Sequence, residues 1–225
     1  MRPGDLARFL KPPFTAQWQE IGQVIGDARI GELLLKLPTL TTLNLLFCRP
    51  GTAHLDFLSQ LPLLTALCLK CYFIPADAIF SSLVLCSCIT DLNLLGGFKS
   101  VHWSALFAKL RIKKLTIRQD TLETLRCFAE GPITQSLEEL SLECLSLPPS
   151  EVSHLYALRR LRTLRLGGCF SARLADATVD SLIPPSPLLP VLTKLFYFWS
   201  PANGRWESVE RRGPSFEWMQ QRMTQ

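Results

Sequence analysis

This sequence predicts an α/β fold assembled from stacked units, each a short strand, a turn and a short helix, and three observations predict it. A Leu-x-x-Leu-x-Leu phrase recurs along the chain, with Ile or Tyr at some positions. Its second leucine serves as an anchor, and the anchors Leu43, Leu67, Leu92, Leu115, Leu140, Leu164 and Leu195 stand 24, 25, 23, 25, 24 and 31 residues apart. Within each unit the apolar period changes from two around the anchor to three and four upstream, the change from a half-buried strand to a helix face.

Residues 1–29 precede the pattern. Phe14, Trp18, Ile21, Val24 and Ile25 are spaced as one face of a helix, so an N-terminal helical cap is expected, weakened by Gly22 and Gly26 and held by packing. It would cover the first edge of the array, where apolar surface and unpaired strand groups otherwise meet water.

Residues 30–198 form the array. Two residues after each anchor stand Leu45, Leu69, Leu94, Ile117, Leu142, Leu166 and Tyr197; three before stand Leu40, Leu64, Ile89, Ile112, Leu137, Leu161 and Leu192. Together these mark about seven short strands. Upstream, Leu55, Leu58 and Leu61, then Phe80 and Leu83, then Val152, Leu155 and Leu158 mark the helical side. Units of this length have room for one strand and a few helical turns, and parallel strands require such crossovers.

The longer last interval holds Ile183–Pro190, with four prolines, a stiff non-helical insertion that reads as a decaying end of the array or a protruding contact loop. Residues 199–225 carry Trp199, Trp206, Phe216 and Trp218, with Pro214-Ser215 placed to start a short helix through Met223. They read as an aromatic C-terminal cap or as a docking tail.

Composition fits one repeat domain with short flanks. Of 225 residues 48% are apolar, enough for a substantial core, and the net charge of +5 from 24 basic and 19 acidic residues does not demand a nucleic-acid partner. No signal-peptide pattern opens the chain, and the most lipid-like segment, Ala78–Ile89, is too short to span a bilayer. Without an Asn-x-Ser/Thr sequon either, the eight cysteines read as reduced thiols. An intracellular protein is expected, cytoplasmic or nuclear and without membrane insertion.

Two phrases, Leu40-x-x-Leu43-x-Leu45-x-x-Cys48 and Leu161-x-x-Leu164-x-Leu166-x-x-Cys169, carry a resemblance to leucine-rich repeat proteins of the irregular, cysteine-containing, ribonuclease-inhibitor-like type. In that consensus Asn or Cys closes the turn after the strand; here Tyr72, Gly97, Asp120 and Leu145 take this place in the other regular units. The resemblance covers roughly residues 30–198 and implies a curved right-handed solenoid with a concave parallel sheet and short convex helices. It also implies a binding protein rather than a catalyst.

The residues themselves offer little catalytic chemistry. Cys68-x-x-Cys71 and Cys86-x-Cys88 have the look of a zinc site, but the repeat register puts Cys86 where other units carry Leu37, Leu61 and Leu158, a core position, and sets Cys71 and Cys88 far apart. His54, His102 and His154 fall on the helical side of non-adjacent units, out of reach of a nucleophile. Gly96-Gly97 and Gly167-Gly168 follow strands as tight turns rather than as a phosphate loop. No catalytic residue, metal or cofactor is expected.

The concave face is more informative. The first three strands offer mainly Thr41, Thr42, Asn44, Thr65, Ala66, Cys68, Lys70, Thr90, Asp91 and Asn93, nearly neutral. The next three alternate in sign: Lys113, Lys114 and Arg118; then Glu138, Glu139 and Glu143; then Arg162 and Arg165, with Phe196 and Phe198 beyond them. These charges form either a self-paired salt ladder or a stripe that orients a complementary protein partner. The expected function is a non-catalytic scaffold or adaptor for protein-protein interaction, its candidate contacts being Lys113, Lys114, Arg118, Glu139, Glu143, Arg162, Arg165 and Phe196. A narrower alternative is the substrate-recognition subunit of a ubiquitin ligase-type assembly. An alternative of another class is RNA binding by the basic strands, which the glutamates interrupt.

Overall fold

The computed structural model describes residues 20–25, 30–47, 55–71, 76–96, 101–121, 124–146, 149–167, 188–199, 206–212 and 219–223. Two compact units divide the chain, Met1–Ile112 and Lys113–Gln225. Each is an α/β unit built on parallel strands.

In the first unit four described strands run parallel in chain order: β1 (Glu20–Ile25), β2 (Thr42–Phe47), β3 (Ala66–Cys71) and β4 (Asp91–Gly96). The anchors Leu43, Leu67 and Leu92 are lateral partners, as are Leu45, Leu69 and Leu94. All six are buried, so the two-residue alternation read from the sequence becomes two continuous leucine ladders. The strands enter in a repeated way: the Thr41 carbonyl accepts from the Thr65 and Ala66 N–H groups, and the Thr65 carbonyl from those of Thr90 and Asp91.

The three-residue spacing before each strand also has a structural cause. The Leu37 N–H donates to Leu34 and the Leu40 N–H to Leu37; the same double step joins Leu58, Leu61 and Leu64, and then Leu83, Cys86 and Ile89. Two consecutive i to i−3 turns put all three side chains of each set inward. Cys86 thus occupies a leucine position, 4% exposed, as its register implied.

Helices Ile30–Leu34, Ala76–Leu83 and Val101–Phe107 and the 3-10 turn Asp56–Gln60 lie outside the sheet. Gly31 permits one close approach, since a Cβ there would stand 2.8 Å from Phe57 Cδ1. Trp103 meets Phe80 edge-on at 5.1 Å and stacks on Phe107 at 5.6 Å between centroids.

The expected N-terminal helix is corrected over Glu20–Ile25, which is strand β1. Its register against β2 slips between Ile21 and Gln23, so Gly22 is the extra residue of an irregular pairing. The edge of β2 offers a row of backbone groups, and pairing with them outweighs a helical period already weakened by two glycines. Residues 1–19 of that expected cap lie outside the described residues.

In the second unit β5 (Lys114–Thr121), β6 (Glu139–Ser146), β7 (Thr163–Gly167) and β8 (Lys194–Trp199) run parallel. The ladder continues as Leu115, Leu140, Leu164 and Leu195, with Ile117, Leu142 and Leu166 beside it, all buried. Return segments are the 3-10 turns Arg126–Ala129 and Pro149–Ala157 and the helix Ile133–Ser136, entered through Gly131 at φ 78°, a left-handed conformation that suits glycine.

The expected helix ending at Met223 is likewise corrected: β9 (Trp206–Arg212) pairs antiparallel with β8, and β10 (Met219–Met223) antiparallel with β9. The open edge of β8 supplies hydrogen-bonding groups that a separate helix would leave unmatched. The proline insertion up to residue 187, the turn residues Cys48, Tyr72, Gly97 and Cys169, and His54 lie outside the described residues. No helix among the described residues is long and apolar enough to cross a membrane.

Candidate protein-binding face

Because the leucine ladders claim one side of the second unit's sheet, the alternate residues form rows on the other. The first row is Lys114, Glu139, Thr163 and Lys194; the second is Thr116, Ser141, Arg165 and Phe196. A third begins Arg118, Glu143 and Gly167. Neighbours in a row are about 4.8 Å apart along the hydrogen-bonding direction, within side-chain reach.

The charges on β5 and β6 pair sideways. Lys114 Nζ lies 3.1 Å from Glu139 Oε1, and Arg118 binds Glu143 Oε2 through both Nε and a terminal nitrogen. These side chains remain well exposed, Lys114 at 53% and Arg118 at 59%, so each pair contributes at most about 1 kcal/mol and is screened by salt. Between the two pairs the middle row is low: Ser141 is buried beneath its charged neighbours and Thr116 half-buried.

On β7 and β8 the arrangement differs. The Arg165 guanidinium lies over the Phe196 ring, 4.8 Å from its centroid. Arg162, Arg165 and Lys194 are exposed, and the neighbouring strand β9 sets Glu210 opposite Phe196 and Arg212 opposite Lys194. Lys194 is absent from the residues the sequence singled out; its signal was its place one residue before an anchor, in line with Lys114 and Glu139.

Lys113 and Arg162 sit outside the rows. Each immediately precedes a strand, and its carbonyl accepts two N–H bonds from the next unit, Glu138 and Glu139 at Lys113, Thr193 and Lys194 at Arg162. Their side chains leave from the sheet's rim, exposed, rather than from its face. The eight candidate residues therefore fall into two sets on the face, the charges paired across β5 and β6 and the Arg165–Phe196 contact across β7 and β8, with Lys113 and Arg162 at the rim.

The exposed face of the first unit is quieter. Thr42, Ala66 and Asp91 form one row, and Asn44, Cys68 and Asn93 the next. The Oδ1 atoms of Asn44 and Asn93 are shielded from solvent and have no hydrogen-bond partner. Burial raises the Cys68 thiol pKa, an effect Lys70 opposes and Asp91 reinforces, so Cys68 is a poor nucleophile. Burial likewise pushes Cys86 up to about 11 and Cys127 to about 12. Cys68, Cys86, Cys88 and Cys127 are free thiols.

Polar groups on the helical side join neighbouring repeats. Ser82 Oγ donates to Asp56 Oδ1 at 2.8 Å in the first unit. In the second, Glu151 Oε2 accepts from Thr124 Oγ1 at 2.7 Å and the Leu125 N–H at 2.9 Å, with His154 Nε2 3.6 Å away. Burial alone would raise the Glu151 pKa, but the bonds from Thr124 and Leu125 and the neighbouring His154 outweigh it and hold it below the usual value. The order of groups is wrong for nucleophilic catalysis: the carboxylate stands between hydroxyl and imidazole, whereas activation needs the imidazole against the hydroxyl. The trio is a clasp between repeats.

No protein-family model matches the chain, and comparison with curated proteins finds no match.

Proposed function

We propose that this protein is a non-catalytic scaffold of the leucine-rich repeat type that binds another protein through the exposed sheet face of its second unit. One observation carries the reading: beneath a uniform leucine ladder, the opposite side of β5–β8 presents in-register rows of charged, small and aromatic side chains. A parallel sheet holds such side chains in place before any partner arrives, so little ordering entropy opposes association. The resemblance of the Leu-x-x-Leu-x-Leu phrases adds to it. A reducing, intracellular setting fits the buried free thiols Cys86 and Cys127.

Site-specific photocrosslinking in a cell extract tests this. A photoreactive residue at Thr116, on the sheet face, should yield a discrete protein adduct that the same residue at Gln135, on the return side, does not. Equal adducts from both positions, or none from Thr116, would contradict the reading.

A further inference from the structure

Resting on that reading, we infer that the partner lays an α-helix across β5 and β6, in the trough between their two ion-pair rows, and that both flanks of this helix carry an acidic residue one turn from a basic one. Register shapes the trough. Lys114 with Glu139 forms one wall and Arg118 with Glu143 the other. The floor between them is Thr116, half-buried, beside Ser141, only 8% exposed. Each wall stands two residues from the floor along the strands, so the walls are about 13 Å apart. An α-helix with its side chains is about 10–12 Å across, and small residues on its lower face would meet the two hydroxyl side chains.

The step from β5 to β6 also suits a helix. Neighbouring strands are about 4.8 Å apart, and residues three or four apart on a helix surface are separated by about 5–6 Å. An extended chain returns to the same face only after about 6.6 Å.

Charge then sets the partner's pattern. Both walls present a cation on β5 and a carboxylate on β6. A helix across them is matched when each flank places Asp or Glu over β5 and Lys or Arg one turn away over β6. The existing pairs need not open. Glu139 engages Lys114 through Oε1 and Glu143 engages Arg118 through Oε2, and a carboxylate accepts from more than one donor, just as an ammonium or guanidinium donates to more than one acceptor. All four side chains are 39–59% exposed, so partner charges reach them from solvent. On β7 the walls continue as uncharged Thr163 and Gly167, which limits the pattern to one acidic and one basic turn. The same alternation disfavours nucleic acid, whose uniformly negative backbone would meet Glu139 and Glu143 one strand after Lys114 and Arg118.

Fluorescence anisotropy on the full chain at low salt tests the proposal with four labelled probes. The first is an alanine-based helical peptide with Glu and Lys one turn apart on both flanks, and the second has the same composition with Glu on one flank and Lys on the other. The third is the first peptide with a central proline, which breaks the helix, and the fourth is single-stranded oligothymidylate. The first should bind more tightly than the other three. Lys114→Glu with Arg118→Glu should weaken its complex by roughly tenfold or more. Adding Glu139→Lys and Glu143→Lys restores both pairs in exchanged order and should recover binding, because the helix can turn end for end. Lys36→Glu with Lys70→Glu, the same charge change in the first unit, should leave it unchanged, and far-ultraviolet circular dichroism should be the same for every variant. No binding of the first peptide, binding of any other probe as tight as the first, or a fourfold variant as weak as the twofold one would overturn the proposal. If the Thr116 adduct persists in any of those cases, only the helical, alternating character of the partner is lost and the protein-binding reading stands.

Discussion

The exposed faces of the two units differ far more than their buried ones. In both, leucine or isoleucine stands at equivalent ladder positions, in register from strand to strand. On the open side, the first unit offers Thr42, Ala66, Asp91 and the Asn44–Cys68–Asn93 row, while the second offers paired charges on β5 and β6 and, on β7 and β8, an arginine lying over an aromatic ring. Burial fixes the ladder because one methylene too few or too many is felt in a packed interior. No such constraint acts on the open side, which is where a repeat protein is free to become specific.

If the ladders are equivalent, truncating them should cost the same in both units. Leu69→Ala and Leu142→Ala should each destabilise by about 3 kcal/mol in urea unfolding. A difference of about 2 kcal/mol or more between them would break the equivalence and mark one unit's core as looser.

The clasps on the helical side sharpen the comparison next. Glu151→Ala removes the acceptor of two hydrogen bonds and should cost about 2 kcal/mol at neutral pH. Because folding lowers the Glu151 pKa, its contribution is fully present above the ordinary glutamate value of about 4.3 and is lost as pH falls through the lower folded value. The stabilities of wild type and Glu151→Ala should therefore converge below about pH 4. Curves that stay parallel through that range would mean that the clasp does not depend on the charge.

A smaller effect is expected in the first unit at Gly31, where the new methyl of Gly31→Ala would meet Phe57 at 2.8 Å. Overpacking there outweighs the gain in helix propensity, leaving a loss of about 1 kcal/mol in thermal or urea unfolding. Stabilisation instead would show that the Phe57 ring yields freely.

The surface pairs should give the least. A double-mutant cycle on Lys114 and Glu139 should return a coupling of about 0.5 kcal/mol at low salt that fades in high salt. A coupling above about 2 kcal/mol would make this ladder a structural element rather than a surface one.

Much of this architecture was legible in the sequence because buried periodicity is a strong signal. Each strand from β2 to β8 falls on its anchor, and the Leu-x-x-Leu-x-x-Leu spacing is the direct trace of two consecutive i to i−3 turns. Register alone assigned Cys86 to the core. Sequence reasoning failed at both ends, where β1 and β10 are strands rather than helices, since an edge strand's conformation is decided by the neighbour it pairs with and not by its own period. At the candidate face the alternating signs were visible, and so was the chance that they pair. Which cations pair was not visible: that depends on lateral reach, which joins Arg118 to Glu143 while Arg165 turns onto Phe196. Lys113 and Arg162 read as strand-face residues until the paired carbonyl bonds at strand entry place them at the rim.

The most direct measurement is partner capture from a cell extract with three forms of the chain, each checked for folding by circular dichroism. One is wild type, one reverses the first unit's face through Lys70→Glu and Asp91→Lys, and one reverses the second through Arg162→Glu, Arg165→Glu and Lys194→Glu. The expected result is that wild type and the first-face variant retain the same protein while the second-face variant loses it. Loss with the first-face variant alone, or retention by all three, would contradict the assignment of binding to the second unit.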